Sequence, residues 1–550
     1  MSPRAARRRP TAAPPPAPPR ASAAPPAAAA PALIAVIDIG ATAIRLEIAE
    51  MRPDGAGRPI ESLHRAVNLG KDTFSGGAIS RETIEQCVGV LRQFRQKLDE
   101  YGIADDRRIN AVATSAVTEA RNSEAFLNRV YVATGLSVRC LEDVELSRLT
   151  YLGVRDLLVR HRLPVASHTL VIEVGGGTTE LLLIRAGHVT FSETYRLGSL
   201  RLRETLETHR APAARRRGLF LQDIERTLQQ MAHSLPARSA ACLVAVSGDA
   251  RFAASRLFEG WESTDLARID AAAFTAFADR VSARSVDDLV TEFQISYPDA
   301  ETVGPALLIY AQICRAFKVR RVLVPRTSLR TALEIELAGP SGWSEDYCRQ
   351  VERAAQTLAR KYDADARHAE HVAWLAGRLF DAMRDRHRLA PKHGFLLRIA
   401  ALLHEVGLFV SNRSHHKHSQ YLILNSELFG LTRDDLALVA LVARYHRRSP
   451  PLPAHPVYAD LNLEGRVTVQ KLAALLRVAC SLDRRHAQRI RDADIAAGDD
   501  RLTIAVRGVD DLGLERVALR EKGGLFEDVY GMPVDLRAVS AHGEEWTADL

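Results

Sequence analysis

The chain is 550 residues long, 47% apolar, 26% charged and 6% aromatic, with six cysteines and a formal net charge of +7. Those figures suit a globular protein of three or four domains and exclude a mostly disordered chain, and no run reaches the eighteen or so consecutive apolar residues that a membrane span needs. The cysteines are scattered without a CxxC pair, which argues against a disulfide framework or zinc ribbon and suits a reducing cytoplasm.

Residues 1–32 hold five arginines, no acidic residue, 10 Pro and 13 Ala. Five of the seven charges therefore sit on a tail expected to stay disordered, and the rest of the chain is nearly neutral. Leu33-Ile-Ala-Val-Ile-Asp-Ile-Gly40 then reads as a buried strand ending in an acid and a glycine, and the alternation from Ala41 to Ile48 supplies the second strand of a hairpin. The pattern returns 135 positions later as Ile172-Glu-Val-Gly175, again followed by small residues and an apolar strand, Leu181 to Ile184. A repeat of this length implies two duplicated lobes.

Between the hairpins the pattern predicts a helix over Arg81 to Tyr101 and a strand over Ile109 to Ala113. After the second come a helix near Gln222 to Leu235, a strand Cys242 to Val246 and a last strand Arg321 to Val324. Strands alternating with helices make each lobe α/β. Beyond a linker at 340–344 the chain turns helical, with stripes at Val372, Leu375, Leu379 and Met383 and at Leu472, Leu475, Leu476 and Ala479. Strands are predicted again at Leu502 to Val506 and Arg516 to Arg520. The expected organisation is a tail (1–32), lobe I (33–165), lobe II (166–338), a helical domain (345–497) and a small α/β unit (498–550).

An acid at a strand end, followed by glycine and small side chains, brings backbone amides close to a docked phosphate while the carboxylate holds a divalent cation. Two such loops, Asp38-Ile-Gly40 and Glu173-Val-Gly-Gly-Gly177, on facing lobes would grip a phosphate chain from both sides.

Together with Ile44-Arg45-Leu46, Ala113-Thr-Ser-Ala-Val117, Glu119-Ala120, Asn122, Thr178-Thr-Glu180 and Ser247-Gly248, these motifs resemble, in order and spacing, the exopolyphosphatase / guanosine pentaphosphate phosphohydrolase (Ppx/GppA) family. The resemblance implies two actin-like (ribonuclease H-like) ATPase lobes, an all-α HD-like domain and a small α/β C-terminal unit. It implies Mg²⁺-assisted release of a terminal phosphate from inorganic polyphosphate, or of the 5′ γ-phosphate from guanosine pentaphosphate, by a cytoplasmic homodimer that engages neither nucleic acid nor membrane.

Carried onto this sequence, Gly40, Thr42, Arg45, Arg121, Gly175, Gly176, Gly177, Thr178 and Gly248 would hold phosphates, Asp38 and Glu173 the metal, and Glu180 the water. The first loop lacks the usual hydroxyls and amide, the arginine expected at 118 is Thr118, and the second loop's usual Asp is Glu173. The family's catalytic glutamate falls on Leu146, so Glu145 is expected to take its role. If it does not, the chain reads instead as a weakened enzyme that senses polyphosphate or (p)ppGpp.

Eleven of the eighteen histidines lie between 365 and 490. His368, His404, Glu405 and Asp483 match the HD pattern, as a vestigial copy of a metal site. Arg413, His415, His416, Lys417, His418, Arg444, Arg447 and Arg448 form two basic clusters expected to line a channel for a polyphosphate chain.

Overall fold

A computed structural model of the chain describes residues 33–51, 57–161, 168–208, 213–235, 240–338, 343–426, 428–447, 449–509 and 511–539. The predicted tail, the linker glycine and proline, and Arg448 lie outside the described residues.

β1 (Leu33–Ile39) is buried from Ile34 onward because it has neighbours on both edges and layers on both faces. It pairs antiparallel with β2 (Ala43–Met51), which pairs with β3 (Gly57–Ala66). β4 (Ile109–Ala113) runs parallel to β1, and β5 (Val138–Cys140) parallel to β4, giving the order β3-β2-β1-β4-β5. Parallel neighbours need crossovers, here helices. α1 (Arg81–Glu100), capped by the Ser80 hydroxyl, and α2 (Ser123–Thr134) cover one face, where Phe94 and Phe126 meet Ile37, Ile39 and Ile44. α3 (Asp143–Arg160) covers the other, with Leu146 and Leu149 against Val36 and Val112.

Lobe II repeats this topology. β6 (Thr169–Val174), β7 (Thr179–Arg185) and β8 (His188–Tyr195) form an antiparallel meander, β9 (Cys242–Ala245) lies parallel to β6, and β11 (Arg321–Pro325) parallel to β9. β10 (Leu266–Asp270) adds an antiparallel edge. The order β8-β7-β6-β9-β11 matches β3-β2-β1-β4-β5, so the sequence repeat is a repeat of topology. These are two actin-like α/β lobes. α4 (Leu329–Ala338) returns from β11 to pack on α3 and β1.

A helical domain follows: α5 (Glu345–Lys361), α6 (Ala366–Ala382), α7 (Pro391–Leu403), α8 (His415–Leu424), α9 (Arg433–Arg444) and α10 (Leu463–Leu482). Its core is continuous with one face of the lobe II sheet: Val171, Leu182, Val244 and Leu323 belong to the same buried cluster as Val351, Leu375 and Leu472. Gln350 spans the junction, its side-chain amide donating to the Tyr151 hydroxyl at 3.1 Å and its carbonyl accepting from the Val189 amide at 3.2 Å.

A three-stranded sheet closes the chain, with β13 (Leu502–Arg507) between β12 (Ala493–Ala497) and β14 (Val534–Val539). The strand expected at Arg516 to Arg520 is instead part of α11 (Gly513–Lys522). Buried Glu515, Ala518 and Leu519 follow helical spacing there, and the segment is rich in Leu, Glu, Arg, Ala and Lys. Among the described residues, no helix is long and apolar enough to cross a membrane.

Candidate active site

In the β1/β2 hairpin Asp38 stands directly opposite Arg45; in the β6/β7 hairpin Glu173 stands directly opposite Glu180. Directly paired residues project to the same face of a sheet, so each lobe presents one such pair. Both hairpins close alike, the Gly40 amide donating to the Ala43 carbonyl at 3.0 Å and the Gly175 amide to the Thr178 carbonyl at 2.8 Å. Those glycine N–H groups are therefore already used, and the glycines serve the site by leaving space.

The glycine run has a packing reason as well. A Cβ on Gly176 would meet the Ala41 Cβ at 2.8 Å, and one on Gly177 would strike Ser115 and Phe74 of lobe I. Gly177 is thus a point of contact between lobes and does not line the cleft, contrary to the expected phosphate role.

Between the lobes lies a cavity of about 520 Å³. Of the residues read from the sequence, it is lined by Asp38, Gly40, Thr42 and Arg45 from lobe I and by Glu173, Gly175, Gly176, Thr178, Glu180 and Gly248 from lobe II. It also receives Arg251, Asp249, Asp299 and Arg330, which sequence reasoning missed. Arg251 stands three residues after Gly248, one turn into the helix that Ser247 caps, so a helical reading of that segment could have found it. Arg330 arrives from the far end of the chain segment, with no local signal.

The charges are unevenly matched. Asp38 lies 3.5 Å from the Arg45 guanidinium and 3.7 Å from that of Arg330, whose Nε also meets Glu47 at 2.7 Å. Among the described residues, Glu173 and Glu180 have no such ion-pair partner. Burial is the main force raising the Glu173 carboxyl, with nearby Asp38 adding to it, against the Thr150 hydroxyl, which donates at 2.8 Å, and the field of Arg251. Burial, then the charge of Glu173, raises Glu180, while the Thr178 hydroxyl donates to it at 2.8 Å. Asp249 is pushed up to about 7 by burial and by Asp299. The lobe II carboxylates are a site short of positive charge, which a divalent cation would supply.

Glu145 is elsewhere. It closes the capping box of α3 with Glu142, accepts from Arg139 at 2.7 Å, and does not line the cleft, whereas Leu146 does. Neighbouring helix residues are about 100° apart, so the two cannot share a face. The catalytic role expected of Glu145 is corrected accordingly. Arg121 is corrected too: it is exposed and donates to the Gly76 carbonyl at 3.1 Å.

Among the described residues, none of the basic side chains expected to form a channel lines this cavity. Arg444 bonds Gln420 and lies over the Tyr445 ring, and His416 is held down to about 4 by burial and by Arg447. Arg413, Lys417 and Arg447 are exposed, and His418 is half-buried. His415 turns inward onto His446. The HD-pattern residues do meet: His368 Nδ1 is 2.8 Å from Asp483, and Glu405 lies 3.9 Å from His368 and 4.0 Å from His404.

The sequence pattern of the Ppx/GppA phosphatase family matches residues 48–337, and that of Ppx/GppA phosphatase domain III matches residues 351–522. Similar curated proteins include the guanosine-5'-triphosphate,3'-diphosphate pyrophosphatases of Vibrio parahaemolyticus, 23% identical over 86% of this chain and 92% of that protein, and of Aeromonas hydrophila, 25% identical over the same shares. Among solved structures, an exopolyphosphatase from Cytophaga hutchinsonii shares the fold with a TM-score of 0.50 and 20% identity, covering 57% of this chain and 100% of that one.

Proposed function

Because the chain belongs to the Ppx/GppA phosphatase family, we propose that its inter-lobe cleft hydrolyses the terminal phosphoanhydride bond of inorganic polyphosphate. The observation that carries this reading is the opposed carboxylate pair Glu173 and Glu180, buried in a cavity that also holds Arg45, Arg251 and Arg330.

The arginines fit the oxygens of the terminal phosphates, and Asp38, lying between Arg45 and Arg330, positions both guanidinium groups. Glu173, whose ionised form the Thr150 hydroxyl favours against the effect of burial, is the residue to hold Mg²⁺, with Asp38 less suited because two arginines already match its charge. Mg²⁺ would neutralise charge developing on the phosphoryl oxygens. Glu180, whose proton affinity burial has raised, orients water with Thr178 and accepts its proton as the new P–O bond forms. The anhydride P–O bond breaks, and its electron pair stays on the shortened chain. With Leu146 where a further carboxylate is expected, turnover is expected about 10² to 10⁴ below that of an enzyme with a full set.

Guanosine pentaphosphate is the second reading, favoured by the names of the curated relatives that align with 86% of the chain. Both substrates offer the same phosphoanhydride end. Orthophosphate release from long-chain polyphosphate with Mg²⁺, with guanosine pentaphosphate as competitor, tests the choice. Release from polyphosphate with weak competition supports the first reading, strong competition and faster guanosine pentaphosphate turnover the second, and tight binding of either without release a sensor. The proposed cytoplasmic homodimer predicts twice the chain mass by light scattering.

A further inference from the structure

Five imidazoles in the helical domain converge on one carboxylate, and all five are arranged alike. His368 holds its Nδ1 2.8 Å from Asp483, His404 2.7 Å from the Ala401 carbonyl, His415 3.4 Å from the Asn412 carbonyl, His446 2.6 Å from the Ala443 carbonyl and His486 3.4 Å from Asp365. An acceptor at Nδ1 keeps the proton there and leaves Nε2 as a bare lone pair, the arrangement of metal-binding histidines.

The Nε2 atoms turn inward. Those of His368 and His486 each lie 3.9 Å from Glu405 Oε2, and that of His404 4.0 Å from Oε1. His415 and His446 face each other Nε2 to Nε2 at 3.2 Å, with no proton available to either. Glu405 Oε2 is buried without a hydrogen-bond partner. His387 shows what a merely structural histidine looks like here: its Nε2 meets the Phe380 carbonyl at 2.9 Å and its Nδ1 accepts from the Leu389 amide at 2.9 Å, so both nitrogens are used. In the converging cluster, what is missing is an acceptor of electron pairs.

We propose that the helical domain binds a divalent transition-metal ion through Nε2 of His415 and His446 and a carboxylate oxygen of Glu405, three ligand atoms that lie within 4.8 Å of one another. Two ligands at about 2.0 to 2.2 Å from one ion stand about 2.9 to 4.2 Å apart, and the two Nε2 atoms, 3.2 Å apart, fall inside that range. His368 and His486, stacked at 3.6 Å with 2° between their planes, direct their lone pairs in parallel and do not share an ion. Imidazole with carboxylate favours zinc, iron, cobalt, nickel or manganese over magnesium or calcium. The centre shares no residue with the inter-lobe cleft, so it stands whether or not polyphosphate is the substrate. Asp483, expected as an HD ligand, instead orients His368 and His371 from outside.

The test is metal retention by the untagged full chain, incubated with Zn²⁺ or Co²⁺, dialysed and analysed for metal. About one equivalent should remain per chain, with visible Co²⁺ absorption and a raised melting temperature. Glu405→Gln and His446→Ala should lose at least about tenfold of that retention, while Glu180→Gln keeps it. Retention below about a tenth of an equivalent in the unaltered chain, or equal retention by Glu405→Gln, overturns the proposal. Should the buried variants fail to fold, His415→Ala makes the same comparison at a half-buried ring.

Discussion

Replacing Glu180 with glutamine should make the protein more stable and less active at once. Glu180 is 2% exposed, directly opposite Glu173, and raised to about 8, chiefly by burial and then by that neighbour. Its folded value exceeds its unfolded one, so the folded state prefers the protonated form. The resulting penalty is absent well below the ordinary glutamate range, grows as pH rises through it, and is complete above about 8. Glutamine keeps the shape and an acceptor for the Thr178 hydroxyl but carries no charge. At about pH 8.5 without divalent cations, Glu180→Gln should therefore gain on the order of 2 to 4 kcal/mol, or several degrees in melting temperature. Near pH 5 the gain should shrink to about 1 kcal/mol or less, and Mg²⁺ should raise the melting temperature of the unaltered chain more than that of the variant. Phosphate release should fall about 10² to 10⁴-fold. Calorimetry across pH, beside a phosphate-release assay, measures both. A variant that melts lower at high pH, or turns over within about twofold of the parent, refutes the account of the carboxylate pair.

Leu146→Glu puts a carboxylate at the cleft wall and should raise turnover at least about tenfold, while costing about 1.5 to 3 kcal/mol of lost burial against Val36 and Leu333 in urea titrations. Glu145→Gln should leave turnover unchanged and cost at most about 1 kcal/mol of stability through the capping box and the Arg139 pair. Arg330→Ala should raise KM at least about tenfold, since it removes a phosphate ligand and leaves Asp38 with Arg45 alone. Gly198→Ala drives a methyl into the Gly176 and Gly177 backbone and should cost about 1 to 3 kcal/mol, together with most activity, read by melting and steady-state rates.

Much of this site was legible in sequence because it is local and repeated. Asp38 and Arg45 are seven positions apart, as are Glu173 and Glu180, and a hairpin of fixed loop length turns that spacing into face-to-face pairs. Arg330 was not legible, since no periodicity says where a distant helix start will point, whereas Arg251 needed only the helix that Ser247 caps to be read as such. Glu145 and Leu146 show the limit in one step: sequence proximity made them seem interchangeable, and helical rotation separates them. The histidine cluster misled in the opposite direction. His415 read as surface charge because its neighbours are Arg413 and Lys417, yet the start of α8 turns it inward onto His446. The small sheet was half seen, since α11 carries Val517 between arginines that mimic strand alternation.

The shared core of lobe II and the helical domain gives the chain a seam that does not follow its segments. Val171, Leu182, Val244 and Leu323 are shielded in large part by α5 and its neighbours, so a chain cut after α4 would bare an oily sheet face and tend to aggregate. Lobe I joins the same core through Tyr151 and Val154 of α3, Tyr151 meeting the Phe429 ring edge-on at 5.9 Å. α3 thus stitches lobe I, lobe II and the helices along one seam.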